Sequence, residues 1–430
     1  MTQISNESPI FAPTGAETKG RFELTPIRLP VLATFGALIL GLGLGVVLSG
    51  LSLSETLTES VSLVGSLWLR ALQMTIIPLV ASLLVLGLAQ MVDAARAGKA
   101  ARRFVGLVIG VALAGGVFTA LVLPIALDWF PIPDTASGFL AETPQVAGEV
   151  PGVLEFLKSL IAPNIVAAAA ETAMLPVTVF FALLAVAITR LPGEQSDLLL
   201  RFFHAMANAM LQIIGWVLWI APIGVAALAF GVGLKSGGGA FAALAHYIVL
   251  VSAMGSFILI LAYLLAWVAG GIGPAAFARA VVPAQAVAIS TQSSLASLPA
   301  MLDSASRLGL RPSTSEFVLP LAVAIFRATS VAMNLAVALY VAALVGIEVP
   351  PALVAIGILV ALIISVGSVS LPGSISFVVS IGPIALAMGV PIEPLALLVA
   401  VEMLPDIMRT LGNVTMNVAV TSVVDRPEDD

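Results

Sequence analysis

Apolar runs of membrane-spanning length recur along the whole chain, and they constrain its fold more than any other feature. A helix that crosses a bilayer needs about 20 predominantly apolar residues. Hydrophobic residues make up 60% of the 430 positions and charged residues 10%, whereas a soluble domain carries about 25% charged residues. The sequence therefore predicts an all-α integral membrane protein, and it excludes a soluble domain, a disordered chain and a nucleic-acid binder. The runs lie near 29–50, 62–91, 104–127, 167–190, 205–233, 244–270, 315–346, 352–382 and 394–424.

The residue types that build catalytic and metal centres are scarce in this chain. There is no cysteine, and the two histidines, His204 and His246, are isolated in the sequence. The hydroxyl-rich stretch 290–297 has no histidine or lysine close by in sequence that could activate a nucleophile. We therefore expect no metal, no cofactor and no enzymatic activity.

Lysine and arginine predict the orientation of the spans, because short cytoplasmic loops are enriched in both residues. They cluster before the first run and between 96 and 103, and none occurs between 104 and 157. The polar segment 1–27 lacks the apolar core of a signal peptide. We expect a multi-pass protein in the lipid bilayer of the inner (plasma) membrane, with a cytoplasmic tail over 1–27 and both termini in the cytoplasm.

Two segments of the second half, 276–312 and 352–392, are apolar but interrupted by serine, glycine and proline near their centres. Arginines flank the first segment on both sides, which predicts that it enters the membrane and returns. Irregular backbone at membrane depth is tolerated where protein buries it or where it lines a wet cavity. Two interrupted segments in corresponding positions of two halves indicate the binding site of a transporter. The alternative is a pair of kinked structural helices.

Four ionisable residues fall inside the apolar runs of the second half: Arg327, Glu402, Asp406 and Arg409. Such residues usually face a cavity or one another, because a charge inside the bilayer is costly. With Thr410 and Asn413, the last two form a helical stripe that can accept an ammonium group and hold carboxylates. This stripe complements an acidic amino acid. Alternatively, Asp406 and Arg409 neutralise each other as a structural pair, and Glu402 holds Arg409 or carries a proton.

Three stretches, Thr291–Pro299, Leu319–Leu321 and Asp406–Val414, resemble the dicarboxylate/amino acid:cation symporter family, which contains glutamate and aspartate transporters. The resemblance covers about residues 28–425. It implies a homotrimer whose protomers have eight transmembrane helices, two re-entrant helical hairpins, inverted repeats and an elevator-type transport movement.

The resemblance also implies a division of the chain into a scaffold and a moving unit. The scaffold and trimerisation helices 1–6 would occupy 28–270, with helices 3 and 6 associated with the moving unit. The transport domain would occupy 271–425. Its parts would be hairpin 1 (276–310), helix 7 (314–346), hairpin 2 (352–390) and helix 8 (394–425).

By the same resemblance, Asp406 takes the amino group of L-aspartate or L-glutamate, and Arg409 takes its side-chain carboxylate. Thr410 and Asn413 help to hold the substrate. The other site residues implied are Ser293 and Ser294 at the tip of hairpin 1, and Leu371, Pro372 and Gly373 at the gating tip of hairpin 2. A C4-dicarboxylate is the alternative substrate, although Asp406 disfavours it. An anion channel and a membrane-embedded enzyme are alternative functions.

The chain departs from the family at the sodium sites. Counted without gaps, the family's sodium-binding Asn-Met-Asp-Gly-Thr falls on Phe326–Ser330, so Arg327 stands where methionine is expected and Ser330 keeps the terminal hydroxyl. The family's sodium-binding aspartate on the last helix is Asn417. Sodium needs a cage of oxygens, preferably anionic ones. We therefore expect sodium coupling to be lost or reduced, with the permanently charged Arg327 standing in for a bound cation.

Overall fold

The computed structural model describes residues 30–49, 51, 54–96, 98–133, 158, 161–236, 239–367 and 373–426, and every regular element in them is a helix. The first half holds α1 (Val31–Leu48), α2 (Glu55–Gln73), α3 (Ile76–Arg96), α4 (Lys99–Trp129), α5 (Ile165–Ala170), α6 (Met174–Ile188), α7 (Gly193–Trp219), α8 (Ala221–Ser236) and α9 (Gly239–Val268). The second half holds α10 (Pro274–Thr291), α11 (Leu298–Arg307), α12 (Pro312–Ile325), α13 (Ser330–Leu344), α14 (Pro351–Gly367), α15 (Gly373–Ala387), α16 (Leu395–Val401) and α17 (Met403–Asp425).

Several of these helices are long and apolar enough to cross a membrane, which confirms the predicted class of an all-helical membrane protein. Five such stretches occur in the described residues: Glu55–Asp93, Lys99–Trp129, Gly193–Trp219, Phe241–Val268 and Pro312–Leu344. Shorter apolar helices include Ala33–Leu48, Met174–Ile188, Ala221–Leu234 and Pro351–Ser365. Large apolar side chains such as Leu40, Leu121 and Val249 are exposed on the helix surfaces, as a lipid-facing surface requires. The count of eight spans and the inverted repeats stay predictions.

Several of the predicted apolar runs are divided in the structure. The run near 62–91 begins earlier, at Glu55, and is interrupted between α2 and α3 by a turn at Met74 and Thr75. The Thr75 hydroxyl donates to the carbonyl of Leu72 at 2.8 Å. The run near 205–233 is interrupted at Ile220, between α7 and α8. Here Pro222 explains the break, because a proline lacks the N–H that a continuous helix needs and clashes with the preceding turn.

Small residues bring α1 and α8 into close contact. A Cβ atom added at Gly41 would lie 2.5 Å from the carbonyl oxygen of Ala226, and one at Gly233 would lie 2.5 Å from that of Leu42. Glycines at such positions let helix backbones approach closely, which is the usual basis of helix association in lipid.

The last helix, α17, is surrounded by helices of both halves of the chain. It contacts α4, α9, α10, α11 and α12, and every residue from Gly412 to Val424 is buried. Helices α10 and α11 pack against each other around the turn 292–297. In that turn Gln292 has a φ of 50°, and its side-chain amide donates to the carbonyl of Met403 at 3.3 Å. The turn is thereby tied to the first residue of α17.

Candidate functional site

A break in the backbone between α12 and α13 lies against the middle of α17. The chain leaves the helix at Phe326, with φ −111° and ψ 104°, and re-enters it after Thr329. The backbone N–H of Thr329 donates to Oδ1 of Asn413 at 2.9 Å. The Thr329 hydroxyl lies 3.0 Å from the same oxygen and 3.2 Å from the carbonyl of Arg409. Side chains and carbonyls of α17 thus satisfy backbone that would otherwise be unpaired inside the membrane.

Arg409 is the centre of a buried polar network. Its side chain is 5% exposed. Nη1 donates to Oδ1 of Asn334 at 2.8 Å, and Nη2 donates to Oε1 of Glu402 at 2.7 Å. Nε lies 3.5 Å from Oδ1 of Asp406, one helical turn earlier. The expectation that Glu402 holds Arg409 is confirmed, and the Tyr247 hydroxyl donates to the second oxygen of Glu402 at 3.1 Å.

Arg327 joins this network from the break between α12 and α13. Its guanidinium is attracted by Asp406 and repelled by Arg409, so the Asp406 carboxylate interacts with two guanidinium groups. We call Arg327, Glu402, Asp406 and Arg409 the charge cluster. Its two positive and two negative charges cancel, which is the condition under which buried charges are tolerated.

The other predicted site residues that the structure describes lie in four places. Thr410 and Asn413 are buried on α17 beside the charge cluster, and Ser330 is buried at the start of α13. Ser293 and Ser294 are half-buried in the turn between α10 and α11, where the Ser293 hydroxyl accepts the N–H of Ala296 at 3.2 Å. Gly373 begins α15, whereas Leu371 and Pro372 lie outside the described residues.

Asn417 is fully buried on α17, two turns after the Arg409 position. Neither its amide nitrogen nor its amide oxygen has a hydrogen-bond partner among the described residues. The side chain of an asparagine has no charge, so this position supplies none of the anionic oxygen that the family's aspartate would supply to sodium.

Three residues of the network were not assigned to it by the sequence interpretation. Asn334 holds Nη1 of Arg409, Tyr247 holds Glu402, and Thr329, rather than the neighbouring Ser330, supplies a hydroxyl to Asn413. The sequence did single out Asn334, because it is the one residue with a side-chain amide in the apolar helix α13. Tyr247 lies 155 positions from Glu402, and no local pattern links the two.

The described residues contain no group of three or more His, Asp or Glu side chains arranged to hold a metal ion. The site offers a set of charges with no net charge, in which Glu402, Asp406 and Arg409 are buried and Arg327, on the break before α13, is half-buried. An arrangement of this kind can bind a small molecule that itself carries charges of both signs.

Known proteins with similar sequences are symporters and amino acid transporters. The sodium:dicarboxylate symporter family matches residues 31–427. The chain is 28% identical over 405 residues to the proton/sodium-glutamate symport protein of Bacillus subtilis (strain 168), covering 92% of this chain and 91% of that protein. It is 27% identical over 397 residues to the proton/glutamate-aspartate symporter of Escherichia coli (strain K12), covering 90% of each. It is also 28% identical to the neutral amino acid transporter A of Homo sapiens, over 89% of this chain and 79% of that protein.

Proposed function

The chain belongs to the sodium:dicarboxylate symporter family, and we propose that it carries an acidic amino acid, L-aspartate or L-glutamate, across the inner membrane without coupling to sodium. The family is one of transporters, so the chain is a multi-pass membrane transporter and not an enzyme. The observation that carries the proposal is the charge cluster, in which Arg327 and Arg409 oppose Glu402 and Asp406 at the break beside α17.

An acidic amino acid fits the chemistry of α17. Asp406 offers an acceptor for the ammonium group, and the planar guanidinium of Arg409 suits a carboxylate. Arginine has five N–H donors, so donors remain for a substrate after the contacts to Asn334, Glu402 and Asp406. Thr410 and Asn413 border the same surface. Ser293 and Ser294 from the first hairpin and Leu371, Pro372 and Gly373 from the second would complete the site. Relatives named for glutamate and aspartate support this substrate class.

Arg327 supports the loss of sodium coupling. A sodium ion is bound in proteins by oxygen ligands that offset its dehydration, with anionic oxygens contributing most. In the charge cluster, Arg327 already supplies the second positive charge near Asp406, and Asn417 provides an amide in place of a carboxylate. A cation that is covalently attached never leaves, so it has no differential affinity through which a gradient could act.

The architecture that goes with this function is also a proposal. Residues 271–425 form the transport domain, comprising hairpin 1 (276–310), helix 7, hairpin 2 (352–390) and helix 8. Within 28–270, helices hold a homotrimer, and the transport domain moves across the bilayer as an elevator. Both termini face the cytoplasm, as the distribution of arginine and lysine supports.

A C4-dicarboxylate such as succinate is the competing substrate. It has two carboxylates but no ammonium group, so Asp406 would face it with a like charge. The contacts of Arg409 alone do not separate the two substrates, whereas Asp406 favours the amino acid.

Uptake into proteoliposomes tests the proposal. We expect saturable uptake of labelled L-aspartate and counterflow from vesicles preloaded with unlabelled aspartate, and we expect no change when a sodium gradient is imposed or removed. Non-saturating flux without counterflow would indicate a channel. Uptake that requires an inward sodium gradient would contradict the proposed independence from sodium.

A further inference from the structure

We propose that the arginines at the carboxyl-terminal end of α17 bind the phosphate of an anionic phospholipid whose acyl chains lie along α4 and α9. The site is separate from the charge cluster, and it does not depend on which substrate is carried. It is formed where the spanning helix α4 begins, where the spanning helix α9 ends and where α17 ends. The ends of membrane-spanning helices lie at the level of the lipid headgroups.

Two arginines are held at this end by hydrogen bonds to backbone carbonyls. Nη1 of Arg103 donates to the carbonyl of Arg426 at 3.0 Å, and Nη1 of Arg426 donates to the carbonyl of Ala269 at 3.0 Å. The guanidinium of Arg426 also lies against Gly271, where an added Cβ atom would be 2.6 Å from Nη2. A guanidinium has five N–H donors. Both side chains are therefore fixed in position while most of their donors remain for a ligand.

The charge at this end is positive. Arg102, beside Arg103, is exposed, and its side chain has no ion pair among the described residues. Arg311 reaches the same end, but Asp425 neutralises it by accepting its Nε at 2.8 Å. Arg102, Arg103 and Arg426 are therefore the cations in excess. Guanidinium groups bind phosphate oxygens through paired hydrogen bonds, and basic pockets between membrane helices bind anionic headgroups.

Exposed apolar residues continue from these arginines along α9. Leu264, Trp267 and Val268 are 46, 54 and 73% exposed, and their spacing places them on one side of the helix. The next residue is Ala269, whose carbonyl accepts Arg426. Tryptophan is enriched at the level of the headgroups, where its ring meets the ends of the acyl chains. An acyl chain packed on this side of α9 would place its phosphate at Arg426.

The neighbouring helix α4 has a flat surface next to Arg102. Gly106 and Gly110 are exposed, and a Cβ atom added at either would have no neighbour within 4 Å. They follow Arg102 at intervals of four residues, so all three lie on one side of α4. Helix α4 packs beside α9, where the rings of Phe118 and Phe257 stack with their centroids 3.7 Å apart. Two adjacent helices therefore expose uncharged surface that begins at the arginines.

This combination favours a phospholipid over other anions. A free phosphate would use the arginines but would leave the apolar surface of α9 uncovered. The sequence continues after Arg426 with Glu428, Asp429 and Asp430, which lie outside the described residues. Those carboxylates have the right charge for Arg426 but offer no apolar group to Trp267. A phospholipid supplies both the anion and the chains.

Titration with defined lipids, followed by native mass spectrometry, tests the inference. Purified full-length protein, delipidated in a neutral detergent, is titrated with dioleoylphosphatidylglycerol and, separately, with dioleoylphosphatidylcholine. The two lipids have the same chains, so only the net charge of the headgroup differs. We expect the phosphatidylglycerol to bind with a Kd at least about tenfold lower, because each arginine near the membrane surface favours an anionic lipid. Inorganic phosphate in excess should not displace it.

Variants locate the site. Replacing Arg102, Arg103 and Arg426 together by glutamine should weaken binding of phosphatidylglycerol by about fivefold for each arginine and leave phosphatidylcholine unaffected. The matched control removes three exposed arginines elsewhere in the chain and should bind as the wild type: Arg96, Arg190 and Arg201. If the triple variant does not fold, Arg102→Glu serves instead, because that exposed side chain supports no backbone carbonyl. It should weaken phosphatidylglycerol by at least about fivefold.

Three results would overturn the inference. Equal Kd values of the two lipids for the wild type would show that the arginines do not recognise an anionic headgroup. Unchanged binding of phosphatidylglycerol in folded Arg102→Glu would place the lipid elsewhere. Displacement of the lipid by inorganic phosphate would show that the arginines bind a free anion. None of these results bears on the proposed substrate or on sodium, which are measured separately by uptake of aspartate.

Discussion

Arg409 is the residue on which the proposed substrate site depends most. It is buried, and it donates to Asn334 and Glu402. Arg409→Ala removes the partner of the substrate carboxylate, and truncating one member of a buried charge pair costs several kcal/mol, so we expect the affinity for L-aspartate to fall by more than about a hundredfold. Calorimetric titration measures this. Arg279→Ala, at an exposed position on α10, is the control. An Arg409→Ala affinity within a few-fold of the wild type would show that the site is assigned wrongly.

Asp406 distinguishes an amino acid from a dicarboxylate. Its carboxylate is the proposed acceptor for the ammonium group, and succinate has no such group. Asp406→Asn should therefore weaken binding of aspartate far more than binding of succinate, as measured by competition against a labelled substrate. Asp303→Asn, exposed on α11 and paired with Arg307 at 2.7 Å, controls for loss of a carboxylate elsewhere. Equal losses for both ligands would favour the dicarboxylate.

Arg327 is the residue that replaces the bound cation in this account. Arg327→Met leaves the charge cluster with one excess negative charge, so an anionic substrate should bind at least about tenfold more weakly, which corresponds to about 1.4 kcal/mol. Arg279→Met provides the same substitution at an exposed site. Unchanged affinity for aspartate in Arg327→Met would mean that this guanidinium has no part in making the site receptive to anions.

At the scale of elements, the close contact of α17 with the break before α13 depends on a glycine. A Cβ atom at Gly412 would lie 2.6 Å from Cγ2 of Thr329. Gly412→Ala should displace Thr329 from Asn413, lowering the free energy of unfolding by about 1–3 kcal/mol, as overpacking does, and weakening substrate binding. Thermal unfolding in detergent measures the first effect. Gly106→Ala on α4 has open space around the new methyl and should be neutral or stabilising; equal behaviour of the two variants would contradict this packing.

The sequence predicted the kind of element well and the interruptions less well. Apolar runs indicated helices because composition and length decide that outcome in a membrane. The turn at Met74 and Thr75 lies just before Pro78, which has no N–H to donate to the carbonyl of Met74 and whose ring disfavours a continuous helix there. A local signal for this division was therefore present, although the run was predicted as one span. The break at Phe326–Thr329 was not predicted as a break either. It forms because Asn413 and the carbonyl of Arg409 satisfy Thr329 from α17, and such a long-range contact cannot be read from a local pattern.

At the scale of the whole molecule, the sequence indicated the charged residues of the cluster, whereas it did not indicate which side chains form hydrogen bonds with them. Ionisable residues in apolar runs are rare enough to be noticed one by one, which identified Arg327, Glu402, Asp406 and Arg409. The partners Tyr247 and Asn334 come from α9 and α13, and only the tertiary fold brings them to Glu402 and Arg409. The family resemblance is confirmed over residues 31–427.

The affinity for L-aspartate with and without sodium tests the central claim most directly. If Arg327 takes the place of a bound cation, the Kd of the purified wild-type protein should agree within a few-fold between sodium-free buffer and buffer in which sodium replaces choline at constant ionic strength. A Kd that is more than about tenfold lower in sodium, which equals about 1.4 kcal/mol of coupling, would show that a working sodium site survives and would contradict the account.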